Sequence, residues 1–209
     1  MDARRSAGIA LAGYGLLTLA ALLGMGTPGG DYEPAKVSGF LAADHFPAAA
    51  VFGYVGVLAS FGLLVFARGA RRLVGDAADV VWALGIAATS AGVVGAVASA
   101  GIAVAAAESG SPVRDGVPLP VVQMLGEITG LVFACVPALF AGVIAIILAR
   151  RSALPAWLRV FSVVAGVCGV LAPAFFTLFL FVLWTLVLGG WLAVNGHRLG
   201  AAEPVPVLV

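Results

Sequence analysis

Five long apolar blocks dominate the chain, at residues 7–26, 46–67, 80–107, 119–149 and 160–194, with only short connections between most of them. A helix needs about 20 residues to cross a hydrocarbon core of ~30 Å. The first four blocks therefore give one span each, the third and fourth with length to spare for tilt. The fifth is too long for one. Extended back to Pro155, a good helix start, it reaches Asn195, roughly 60 Å as a single helix. Such a helix would push Phe175 and Phe176 into water. Two helices joined by a tight turn in "APAFFT", with Pro173 as the breaker, bury everything. The expected fold is all-α: a polytopic membrane protein built as an antiparallel bundle of six transmembrane helices. It forms one domain over residues 1–198, followed by a short Pro-containing tail, 199–209.

Composition agrees. Of 209 residues, 62% are hydrophobic and 10% charged, against roughly half and a quarter in soluble domains. A net charge of +1 provides no electrostatic footprint for nucleic acid. The basic residues are ten Arg and the single Lys36, a bias that points to a GC-rich genome and hence to a bacterium. The opening "MDARRSAGIALAGYGLLTLAALLGMG" starts like a signal peptide. Its apolar run, at about 20 residues, exceeds the ~7–15 of a signal core, and no small-residue cleavage site follows. It is expected to stay as the first span.

Arginines then orient the bundle, because basic residues favour the cytoplasmic side. Six spans with an inside N-terminus put Arg4, Arg5, Arg68, Arg71, Arg72, Arg150, Arg151, Arg159 and Arg198 inside, and only Lys36 and Arg114 outside. Trp82, Trp157 and Trp191 fall near the inner interface, where amphipathic rings prefer to sit. The expected location is a bacterial cytoplasmic (inner) membrane, multi-pass, with both termini cytoplasmic. Outside, "VSGFLAADH" has the makings of a short surface helix.

Small residues set expectations for packing, since helices associate in lipid through close backbone approach. The third span, "ALGIAATSAGVVGAVASAGIAVAAA", is nearly all Ala, Gly and Ser, and belongs at the bundle centre. The bulky sixth, "FFTLFLFVLWTLVLGGWL", suits the lipid-facing side. In the fourth span Gly126 and Gly130 form a GxxxG and should pack closely on a neighbour.

Recognisable chemistry is scarce. The chain has no HExxH, GxSxG, P-loop or phosphate-cradling GxGxxG. Cys135 and Cys168 lie inside apolar blocks without a CxxC or a Cys/His cluster, so neither a disulfide framework nor a zinc site is expected. His45 and His197 sit on opposite sides of the membrane. No catalytic residue, metal or cofactor is expected. What stands out is Glu127, a carboxylate in the outer third of the fourth span or at its boundary. A charge costs about 3 kcal/mol at the bilayer centre and less near the edge. Gln123 and Gly130 share its helix face, a polar and small stripe that should point inward, and Pro137 lies two to three turns deeper. Asp44 and His45 head the second span, and Glu108 ends the third. If these ends are neighbours, Glu127, Gln123, Asp44, His45 and Glu108 form an outer polar site. The same residues also suit a purely structural role: solvated interface carboxylates, and a Glu127 bonded to a neighbour.

The ordering of segments resembles a family of uncharacterised six-span membrane proteins of high-GC bacteria. The likeness is carried by "FLAADH" before the second span and "GYVGVLASFGLLVFARGARRL" running into the basic loop. "ARRSALPAWLRVFSVVAG" and the closing "LWTLVLGGWL" add to it. It implies a fold and a location, and no activity. The expectation is therefore a non-enzymatic integral membrane protein, structural or partner-binding. Its partners would be the lipid bilayer and a second protein or further copies of itself. The alternative is a transporter of small molecules, protons or cations that uses the outer polar site around Glu127.

Overall fold

The computed structural model describes residues 3–26, 34–41, 45–109, 118–174 and 177–196. Among the described residues there is helix and turn and no strand. The α-helices are α1 (Ala3–Met25), α2 (Pro34–Phe40), α3 (Phe46–Ala70), α4 (Ala78–Ser109), α5 (Leu119–Arg151), α6 (Ala156–Val170) and α7 (Leu178–Asn195). Two 3-10 turns, Arg71–Leu73 and Gly75–Ala77, join α3 to α4, and a third, Ala172–Ala174, follows α6.

Helix ends follow local chemistry. Pro occupies the first turn of α3 and of α5, where its missing N–H is no loss. Pro155 stands at the N-cap of α6. Gly26, just past α1, and Gly75, the first residue of the second 3-10 turn, have φ of 58° and 56°. This left-handed region is one that glycine enters without steric cost.

Five helices, α1, α3, α4, α5 and α7, are long and apolar enough to cross a membrane, which is compatible with a multi-pass membrane protein. The fifth apolar block divides as its length requires. α6 ends at Val170, the 3-10 turn contains Pro173, and α7 starts at Leu178. Phe175 and Phe176 lie outside the described residues. At 15 residues, α6 is the short member, roughly 22 Å long.

Packing closes the chain on itself. α1 packs on α3, α3 on α4, α4 on α5, α5 on α6, α6 on α7, and α7 back on α1. Each pair runs antiparallel. Gly8 lies against Ala193 and Gly15 against Thr185, while Gly69 lies against Ala3 and Gly62 against Ala10. Gly53 faces Ala100 and Gly85 faces Ala67; Gly95 faces Phe133 and Gly92 faces Pro137. Gly142 meets Val170 and Gly166 meets Ile146, and Phe181 meets Gly169. The result is an up-and-down ring of six helices. α6 thus runs from the end that holds Arg151 to the end where α7 starts.

Two kinds of residue hold the ring. Along the seams, backbones touch. A methyl group at Gly8 would lie 2.5 Å from the Ala193 nitrogen, and one at Gly142 would lie 2.6 Å from the Gly166 carbonyl oxygen. On the axis, large side chains fill the space that six cylinders leave between them. Trp184 stands edge-on to Phe66, with ring centroids 6.3 Å apart, and 5.4 Å from Phe181. Leu63, Phe133, Ile144 and Leu188 are as fully buried as these three rings. The indole nitrogen of Trp184 donates to Ser162 Oγ at 2.9 Å. α5 also touches α3 and α7 across the ring, so the ring is flattened.

Three packing expectations are corrected. α4 is not the bundle centre: Val80, Ile86, Val94 and Val97 leave one face of it exposed, and its small residues serve the seams with α3 and α5. α7 is not simply outward-facing, because Phe181, Trp184 and Leu188 plug the axis while Phe179, Leu183 and Val194 face out. The reason is volume: a seam needs small side chains, and an axial gap needs large ones. The third correction concerns Gly130, where a methyl group would meet open space. α5 makes its close approaches further along, at Phe133 against Gly95 of α4 and at Gly142 against α6.

Candidate functional site

At the end where α1 finishes and α3 begins, α2 closes the bundle. Val37, Phe40 and Leu41 are buried against Ala49 of α3, Ala103 of α4 and Val122 of α5. The short surface helix expected in "VSGFLAADH" is met only in part: the helix spans Pro34–Phe40, shares four residues with that stretch, and has its apolar side chains inserted among helix ends rather than lying on the surface.

His45 is part of this closure. Its Nε2 lies 2.8 Å from the Met25 carbonyl oxygen, an acceptor that Gly26 leaves exposed by breaking α1. Its ring is tilted 53° against Phe40 at a centroid distance of 5.2 Å. Nε2–H donates, and the imidazole ties α1, α2 and α3 together. Beside this cluster, Gln123 of α5 is only 1% exposed. Glu127, one turn further along the same helix face, is half-buried. Neither side chain is without a partner. Thr129 Oγ1 donates to the Gly126 carbonyl at 3.1 Å, satisfying its hydroxyl within the helix.

Of the five residues expected at an outer polar site, Gln123 and Glu127 share one face as their spacing requires. His45 is turned to Met25 and Phe40. Glu108 belongs to the last turn of α4, where only the backbone is described, and Asp44 lies outside the described residues. Among the described residues, no group of three or more His, Cys, Asp and Glu is placed to hold a metal ion. Cys135 is buried and Cys168 half-buried, both as free thiols.

The opposite end carries the arginines, and there the sequence reading missed a pattern. Arg151 pairs with Asp76 at 3.1 Å, and Arg71 with Asp79 at 3.6 Å, while the Arg71 guanidinium sits 5.8 Å over the Trp82 ring. Arg68 and Arg72 instead line a cleft of about 370 Å³ between α1 and α3, together with Ala3, Ser6, Val65 and Gly69. Their four-residue spacing was the available signal, since it places both on one helix face. A second groove, of about 580 Å³, runs along the outside of α3 and α4 past Phe61, Trp82, Thr89 and Ser90. Compared with protein-family models, with curated proteins and with solved structures, the chain matches none of them.

Proposed function

We propose that the chain is a six-span integral protein of a bacterial cytoplasmic membrane, with both termini inside, acting as a non-enzymatic structural or partner-binding component. The resemblance to six-span proteins of high-GC bacteria belongs to the same proposal. The observation that carries it is the filled axis. Phe66, Phe181 and Trp184 occupy the middle of the ring, where a translocation path through a bundle of this shape would have to pass. A solid ring with an exposed apolar perimeter is suited to standing in lipid and meeting other helices.

The six-span form draws on α6. Its roughly 22 Å is extended by Leu171 and the 3-10 turn Ala172–Ala174, at about 2 Å per residue, toward the thickness of the core. Antiparallel closure of α7 on α1 also calls for an even number of crossings. Topology is tested with single cysteines replacing Ser38, Ser152 and Asn195 in a background where Cys135 and Cys168 are Ala. In intact cells a membrane-impermeant maleimide should label only the Ser38 position; labelling at Asn195 would refute six spans. The partner-binding role is tested by photo-crosslinking from Phe61 and Val94, both exposed. Discrete adducts with a second copy or with one defined protein are expected, and a strictly monomeric pattern would remove the support for this role.

The burial of Gln123 beside the half-buried Glu127 favours a second reading, transport at an outer polar site. Under it, Glu127→Gln abolishes uptake or a pH response in reconstituted vesicles. Under the leading reading, the same substitution changes neither.

A further inference from the structure

Four of the arginines at the basic end divide by their pairing. Arg71 and Arg151 are neutralised by Asp79 and Asp76. Arg68 and Arg72, both exposed, make no ion pair with any described residue, yet they stand one turn apart on the wall of a formed cleft. Two guanidiniums at this spacing present planar, multidentate donors suited to phosphate oxygens. The cleft does not end at the charges. Val65 lines it as well, and the same face of α3 continues through Phe61, Leu58 and Tyr54, all exposed. From Arg68 to Tyr54 this stripe covers roughly 20 Å, about the length of one lipid in one leaflet, half the bilayer.

We propose that the α1–α3 cleft binds an anionic phospholipid of the inner leaflet. The phosphate lies between Arg68 and Arg72, and an acyl chain lies along Val65, Phe61, Leu58 and Tyr54. The inference rests on the membrane orientation proposed above, which puts the cleft at the cytoplasmic surface, where basic pockets between helices meet anionic headgroups. The apolar stripe selects a lipid over a free phosphate, because a soluble anion has nothing to place on it.

The test uses the full chain reconstituted into vesicles of equal phosphatidylglycerol and phosphatidylcholine, followed by native mass spectrometry of the released protein. One phosphatidylglycerol per chain should be retained in preference to phosphatidylcholine. Arg68→Gln with Arg72→Gln should weaken that preference roughly 25-fold, about fivefold for each charge removed. Arg151→Gln with Arg159→Gln, an equal loss of charge at the same end, should leave it intact. Arg68→Lys with Arg72→Lys should fold as the parent does and keep most of the preference. Equal retention of both lipids, or equal losses in the two double-Gln variants, would overturn the proposal. So would displacement of the lipid by millimolar inorganic phosphate. A chain that inserts into vesicles without lipid preference sinks this inference alone, whereas a chain that inserts into neither lipid sinks the membrane reading itself.

Discussion

The few polar side chains inside the bundle differ sharply in what they do. Ser162 accepts the indole N–H of the fully buried Trp184, so removing the hydroxyl orphans a donor far from water. Ser162→Ala should cost about 1–3 kcal/mol, read from denaturant or thermal unfolding in detergent. Adding Trp184→Phe should recover part of the loss, since the unpaired donor goes with it. Ser99 is the opposite case: its hydroxyl is fully buried and finds no hydrogen-bond partner among the described residues. Ser99→Ala should leave stability unchanged or raise it, because no bond is lost. His45 lies between these two. Its bond to the Met25 carbonyl joins helix ends, and His45→Phe should keep the stacking on Phe40 while losing about 1 kcal/mol. A sequence marks His45 as a titratable group at an outer mouth. Only the fold shows its imidazole engaged by the C-terminal end of another helix.

At the level of helices, the glycines sort by what stands opposite them. Gly142 and Gly166 each approach the other's carbonyl oxygen, so a methyl group at either would lie 2.6 or 2.7 Å from backbone. Gly8 and Gly189 do the same between α1 and α7. Backbone cannot step aside as a side chain can. Gly142→Ala and Gly189→Ala should each destabilise by about 1–3 kcal/mol. Gly13→Ala and Gly190→Ala, where nothing stands within 4 Å, should be neutral or better. The same unfolding assay separates the two pairs, and equal effects would contradict the seam assignment. The sequence pattern offered GxxxG at Gly126 as a packing face. Spacing alone gives no way to choose between that pair and Gly142, since the choice depends on where α6 arrives.

For the whole bundle, closure of the ring makes its centre a shared element that no pair of helices owns. Phe66 comes from α3, Phe181 and Trp184 from α7, and Phe133 of α5 reaches between Gly56 and Gly95. Truncating one of them leaves a hole lined by several helices. Phe66→Ala should therefore cost about 3–5 kcal/mol and broaden the unfolding transition. A filled axis also predicts that vesicles containing the protein show no ion conductance above protein-free vesicles. Steady conductance that depends on Glu127 would favour the transport reading over the structural one.

Apolar block lengths by themselves determined the all-helical class and the break near Pro173, because the limit on helix length in an apolar solvent is a property of the chain and that solvent. The clustering of arginines at alternate helix ends was equally fixed, since it needs only the order of the segments. Which helix faces the axis was decided by the tertiary structure. Small residues suit any close contact and large ones any gap, so composition could not tell that α4 stands in the wall while Trp184 of α7 stands in the middle. The pairing of Arg71 and Arg151 with aspartates, which leaves Arg68 and Arg72 to a cleft, was decided there too. Charge is written in the sequence, but the distance between two charges on different helices exists only once the ring has closed.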